Sequence, residues 1–136
     1  MGDNRRMRIL VVDDDPSVRR LLSVQLGLAG HEVYVAEDGA AALTELGRQR
    51  PDVMLLDVMM PLVDGWQVLE AMRAKPLYAD LPVILLTAKN LPDDVDHSYD
   101  LGATLVMAKP YDGERLLAMI EAVRAQAELL EQISPS

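Results

Sequence analysis

The stretch "VMLLDVMMPLVDGW", residues 53–66, decides how this chain folds. Four apolar residues run into a carboxylate, Asp57, and the apolar character resumes at once with Val58, Met59 and Met60. Burying an ionised carboxylate costs heavily unless something pairs with it. Two readings compete. Asp57 is either a solvated turn residue after a strand, or a charged group set at a strand's carboxyl end because chemistry happens there.

Working outward, four more apolar runs of strand length flank this one. "RILVV" (8–12), "EVYVA" (32–36), "DVMLL" (52–56), "PVILLT" (82–87) and "TLVMA" (104–108) read as strands. Three are almost continuously apolar, as parallel strands covered on both faces must be. Helical patterns separate them. Asp15 followed by Pro16 caps the first helix, whose apolar stripe is Val18, Leu21, Leu22 and Leu26. Asp38 caps the second, and Asp64 with Gln67 forms a capping box for the third. A short fourth helix spans 92–101 with Gly102 as its C-terminal cap, and Asp112 opens a long fifth.

Strict β–α alternation predicts an α/β protein with a doubly wound parallel sheet and right-handed crossovers. Ligands of such sheets sit beyond the carboxyl ends of the strands. Asp13 and Asp14 follow the first strand, Asp57 ends the third, Thr87 ends the fourth and Lys109 follows the fifth. All five polar groups therefore fall on one edge. Three carboxylates together need a counter-charge, and magnesium suits oxygen ligands while keeping waters that a phosphate can replace. Lys109 adds a fixed cation and Thr87 a hydroxyl donor, which completes a site for a transferred phosphoryl group with Asp57 as nucleophile. Singly, each residue has a plainer explanation as a cap, a strand end or a surface lysine. Delivery from four strand ends outweighs coincidence.

Bulk properties narrow the class. The 136 residues suit one domain, with 50% hydrophobic and 26% charged residues. A net charge of −9 disfavours non-specific binding to nucleic acid or anionic lipid. Cysteine is absent, so no disulfide framework exists. No apolar run approaches the roughly 18 residues of a membrane span. The basic start meets "DDD" too soon for a secretory signal, so a cytoplasmic location is expected.

The stretches "ILVVDDDPSVRRLL", "PDVMLLDVMMPLVDGW", "PVILLTA" and "GATLVMAKPY" together resemble the receiver domain of bacterial two-component response regulators. The resemblance runs from about residue 7 to 123. It implies a flavodoxin-like five-stranded sheet of order 2-1-3-4-5, Asp57 as phosphoacceptor, and Asp14 and Asp13 as direct and water-mediated magnesium ligands. It further implies a metal contact from the Met59 backbone carbonyl, phosphoryl contacts from Thr87 and Lys109, and a cis Lys109–Pro110 bond. Met59 and Lys89 stand where residues of this family tune dephosphorylation. One departure is evident: the aromatic residue that receivers often carry three before the lysine is here Val106.

The implied partners are a sensor histidine kinase or phosphotransfer protein and an unknown downstream protein, with neither nucleic acid nor membrane bound directly. Such a domain is a signalling device, catalysing only its own phosphorylation and dephosphorylation. Two rivals share features. A haloacid-dehalogenase-type phosphatase also uses an aspartate nucleophile, but it needs a later acidic pair that is missing after Lys109. A receiver-like module that is never phosphorylated would not require the full set of five. His31 and His97 have no second ligand at metal spacing and read as surface residues, and Trp66 reads as packing.

Domain limits are expected at 1–6 for a flexible arm, 7–124 for the receiver, and 125–136 for a helical extension and tail. In that last helix Leu116, Ile120, Val123, Ala127 and Leu130 alternate steps of four and three. They form either a homodimer seam or a stripe whose first half packs on the sheet.

Overall fold

The computed structural model describes residues 6–88 and 91–133. The arm at 1–6 lies outside them except for Arg6, and so does Lys89. The described chain alternates strand and helix five times. The order is β1 (Arg8–Val12), α1 (Pro16–Leu28), β2 (Glu32–Ala36), α2 (Gly39–Gln49), β3 (Val53–Asp57), α3 (Gly65–Arg73), β4 (Val83–Thr87), α4 (Pro92–Asp100), β5 (Leu105–Ala108) and α5 (Gly113–Ile133). All pairings are parallel and the sheet order is β2-β1-β3-β4-β5. This is the expected flavodoxin-like receiver fold.

Strand pleating divides the core in two. Leu10, Val12, Met54, Leu56, Val83 and Leu85 face one layer with Leu46 of α2 and Val68, Leu69 and Met72 of α3. Ile9, Val11, Val53, Leu55, Ile84 and Leu86 face the other, with Leu22 and Leu26 of α1 and Leu116, Ile120 and Val123 of α5. Each fully buried Leu or Ile contributes about 1.5–3 kcal/mol, so these twelve strand residues anchor the sheet between its helices. Leu116, Ile120 and Val123 are spent on this intramolecular core and are not free for a dimer seam.

The helix starts follow their caps. The Asp15 carboxylate accepts from Ser17 N–H with Pro16 beside it, Asp38 accepts from Ala41 N–H, and Asp64 and Gln67 form the complete capping box. Gly102 takes φ 105° after α4, a conformation that excludes most side chains.

Three strand starts move by one residue, at β3, β4 and β5, and β3 runs on to include Asp57. Asp52 lies outside β3 because its carboxylate accepts from the Arg8 N–H at 2.7 Å, capping the sheet from below. Pro82 precedes β4, its carbonyl accepting from Met54 N–H while Val83 N–H donates to Thr104 Oγ1. A 3-10 turn at Pro76–Tyr78 was not anticipated. Arg73 organises it, donating to the carbonyls of Tyr78, Leu81 and Gly102 at 2.7–3.0 Å.

Candidate functional site

Parallel pairing brings the C-terminal ends of β1, β3, β4 and β5 to one edge. Asp57 is the last residue of β3, paired with Leu86, and Thr87 is the last of β4, paired with Ala108. Both are buried, at 3% and 1% exposure, as is Asp13 at 2%. Asp14 beside it is exposed.

Lys109 gathers the carboxylates. Its Nζ lies 3.1 Å from Asp13 Oδ2 and 3.2 Å from Asp57 Oδ1. The Lys109 N–H donates to the Thr87 carbonyl at 2.9 Å, and the Lys109–Pro110 bond is cis. Oxygens of Asp13, Asp14 and Asp57 all lie within 4.8 Å of one another. Asp57 Oδ1 also accepts from Met59 N–H at 3.3 Å.

Gly65 makes the close approach of α3 possible. A Cβ there would stand 2.3 Å from the Asp57 carbonyl oxygen and 2.8 Å from Val58 Cα, so no side chain fits. Its N–H donates to the Val58 carbonyl at 2.9 Å, closing the loop that follows β3.

Electrostatics follow from this crowding. Burial and then the Asp13 charge push the Asp57 carboxyl above the ordinary carboxylate range, with Lys109 pulling the other way. Burial would lower the Lys109 ammonium, but its bonds to Asp13 and Asp57 outweigh that and raise it. Three clustered carboxylate groups against one ammonium leave a negative surplus. An all-oxygen donor set of this kind fits magnesium, which takes one or two carboxylates and keeps waters.

All five expected residues stand at this edge. Met59 also does, its side chain 54% exposed on the loop after β3. Lys89 falls outside the described residues. Val106 is half-buried on β5, where its N–H donates to Tyr99 Oη of α4 at 3.2 Å. His97 is exposed, its ring edge-on to Trp66 with centroids 4.7 Å apart. Two readings need revision. His31 is half-buried, and its Nδ1 accepts from Met7 N–H at 3.2 Å. Trp66 does more than pack, since its Nε1–H donates to the buried Ser98 Oγ at 2.9 Å. Sequence reasoning also missed Arg19, whose Nη1 donates to the Asp13 carbonyl at 2.7 Å. An arginine one turn into a helix after an acidic strand end was the only available signal.

The chain belongs to the response regulator receiver domain family, which matches residues 9–121. It is 43% identical over 117 residues to the response regulator MprA of Mycobacterium leprae, covering 86% of this chain and 50% of that protein. It is 37% identical over 125 residues to the DNA-binding dual master transcriptional regulator RpaA of Synechocystis, covering 92% and 52%. The chain thus spans about half the length of these relatives. Among solved structures it is similar to the chemotaxis protein CheY4 of Vibrio cholerae, with TM-score 0.83 and 34% identity, covering 88% of this chain and 99% of that one. No helix among the described residues is long and apolar enough to cross a membrane.

Proposed function

We propose that this receiver accepts a phosphoryl group on Asp57 from the phosphohistidine of a sensor kinase or phosphotransfer protein. It then signals by changing which protein it binds. The observation that carries the reading is a buried carboxylate at a strand end, bracketed by Lys109 at 3.2 Å and by two further acidic residues.

An Asp57 oxygen attacks phosphorus, the P–O bond forms, and the P–N bond breaks with its electron pair returning to the imidazole. The Lys109 ammonium moves from pairing with Asp13 and Asp57 to stabilising the phosphoryl oxygens, and the Thr87 hydroxyl donates to another. Asp13, Asp14, Asp57 and the Met59 carbonyl would hold magnesium. When bound, it supplies the positive charge that lets an anionic carboxylate meet an anionic phosphoryl group.

Beside Lys109 lies a hollow of about 450 Å³ lined by Val18, Leu21, Gln25, Pro110, Tyr111 and Gly113. It offers the donor protein apolar purchase next to the acceptor. Met59 and Lys89 set the lifetime of the phosphorylated state, because a thioether orients an attacking water poorly. Residues 7–124 form the receiver, and α5 runs on beyond them to Ile133 as an extension through which two copies associate.

The decisive test is phosphorylation with acetyl phosphate and magnesium. Wild-type protein should gain one acid-stable, base-labile phosphoryl group, and Asp57→Asn none. Undiminished labelling of the variant would remove Asp57 from the mechanism.

A further inference from the structure

Asp14 is the exposed member of the carboxylate cluster. Among the described residues, nothing holds its carboxylate directly. The direction of its Cα–Cβ bond, and with it the positions the carboxylate can reach through its staggered rotamers, is set by the two peptide groups on either side of its Cα. Both are clamped. The peptide after it is fixed by Asp15 N–H, two bonds along the chain from Asp14, through the turn that this amide closes by donating to Asp13 Oδ1 at 2.9 Å. The peptide before it carries the Asp13 carbonyl, which accepts from Arg19 Nη1 at 2.7 Å.

Arg19 is well placed for this work. It lies on α1, half-buried, with its own N–H bonded to the Asp15 carbonyl at 3.1 Å. The helix thereby ties the acidic turn from both its backbone and its side chain. A guanidinium placed beside a cation site would, by charge alone, weaken cation binding. Its value must come from geometry.

We propose that Arg19 is a positioning residue that holds the Asp13–Asp14 peptide so that the Asp14 carboxylate faces the cation site. This rests on the reading of the carboxylates as a magnesium site. Partners that orient metal ligands typically cost affinity when removed. Arg19→Ala should raise the magnesium dissociation constant by about tenfold, whereas charge removal without loss of position would leave it equal or lower.

The experiment is a magnesium titration of the full chain, followed by the amide NMR shifts of Asp13 to Asp15, which report folding and binding together. Wild type, Arg19→Ala, Arg19→Lys and Arg20→Ala are compared. Arg20 is the exposed neighbour on α1 and controls for charge. Weakened binding in Arg19→Ala, with partial recovery in Arg19→Lys and no weakening in Arg20→Ala, supports the proposal. An unchanged dissociation constant in Arg19→Ala overturns it, even if that variant melts earlier. Equal weakening in Arg20→Ala also overturns it. No magnesium response in wild type would instead sink the metal-site reading itself.

Discussion

Leu62 has φ 69° while its side chain is 99% exposed. Left-handed backbone costs a non-glycine residue about 1–2 kcal/mol, and a solvated side chain returns nothing by packing. Glycine would relieve the strain while adding about 0.5–1 kcal/mol of unfolded-state entropy. Leu62→Gly should therefore stabilise the protein by about 0.5–1 kcal/mol, read as a higher urea midpoint at unchanged slope. A lower midpoint would show that the leucine is held by contacts. His31 is the other residue whose local state matters. Burial lowers its pKa first, with Glu121 opposing and Arg124 adding to the effect, and its Nδ1 must stay unprotonated to accept from Met7 N–H. The folded value lies below the roughly 6.5 of an unfolded histidine. Its contribution is then complete above that pH and lost as pH falls through the folded value. The stability gap between wild type and His31→Ala should shrink from pH 7.5 to pH 5.5. A gap that widens would mean the imidazole is charged in the fold.

Among elements, α4 is the least anchored by apolar contact. Its only buried residue is Ser98, and its sequence "PDDVDHSYD" carries a single aliphatic side chain, Val95. Polar ties hold it. Trp66 Nε1–H donates to Ser98 Oγ, Ser98 Oγ–H donates to the Asp94 carbonyl at 2.9 Å, and Tyr99 Oη accepts from β5 at Val106. Trp66 follows Gly65, whose backbone lies so near the Asp57 carbonyl that a Cβ would collide with it, so the loop after β3 and α4 are neighbours through three residues. Trp66→Phe keeps most of the ring packing and removes the donor. It should cost about 1 kcal/mol and speed amide exchange in α4 more than in α2. Equal acceleration in both helices would show that the bond serves the whole core and not α4.

For the whole molecule, the extension of α5 is the open surface. Beyond Val123, which is buried, Leu129, Leu130 and Ile133 are 55%, 56% and 66% exposed. Solvated leucines in a row favour association when concentration allows. The full chain should self-associate in sedimentation at high concentration, and truncation after Arg124 should leave a monomer. A full chain that stays monomeric with and without phosphorylation would refute the association. The receiver fold itself should survive this truncation, because Leu116, Ile120 and Val123, the α5 residues of the core, are retained.

The alternation of strands and helices, the caps at Asp15, Asp38 and Asp64, and the placement of Asp13, Asp14, Asp57, Thr87 and Lys109 on one edge were legible in the sequence. Each rests on short-range rules: periods of 2 and 3.6, a cap within three residues, and one strand end per βα unit. The 2-1-3-4-5 order and the cis bond came through family likeness, since no local pattern encodes which strands become neighbours. Only the tertiary structure decided the rest. Lys109 reaches Asp13 across 96 positions, Trp66 reaches Ser98 across 32, and Arg73 reaches Gly102 across 29. The same holds for the α5 stripe, whose spacing suits a core or a seam equally until the sheet covers Leu116, Ile120 and Val123. A side-chain hydrogen bond depends on separations of a few tenths of an ångström, and those are fixed by how the layers pack, not by spacing along the chain.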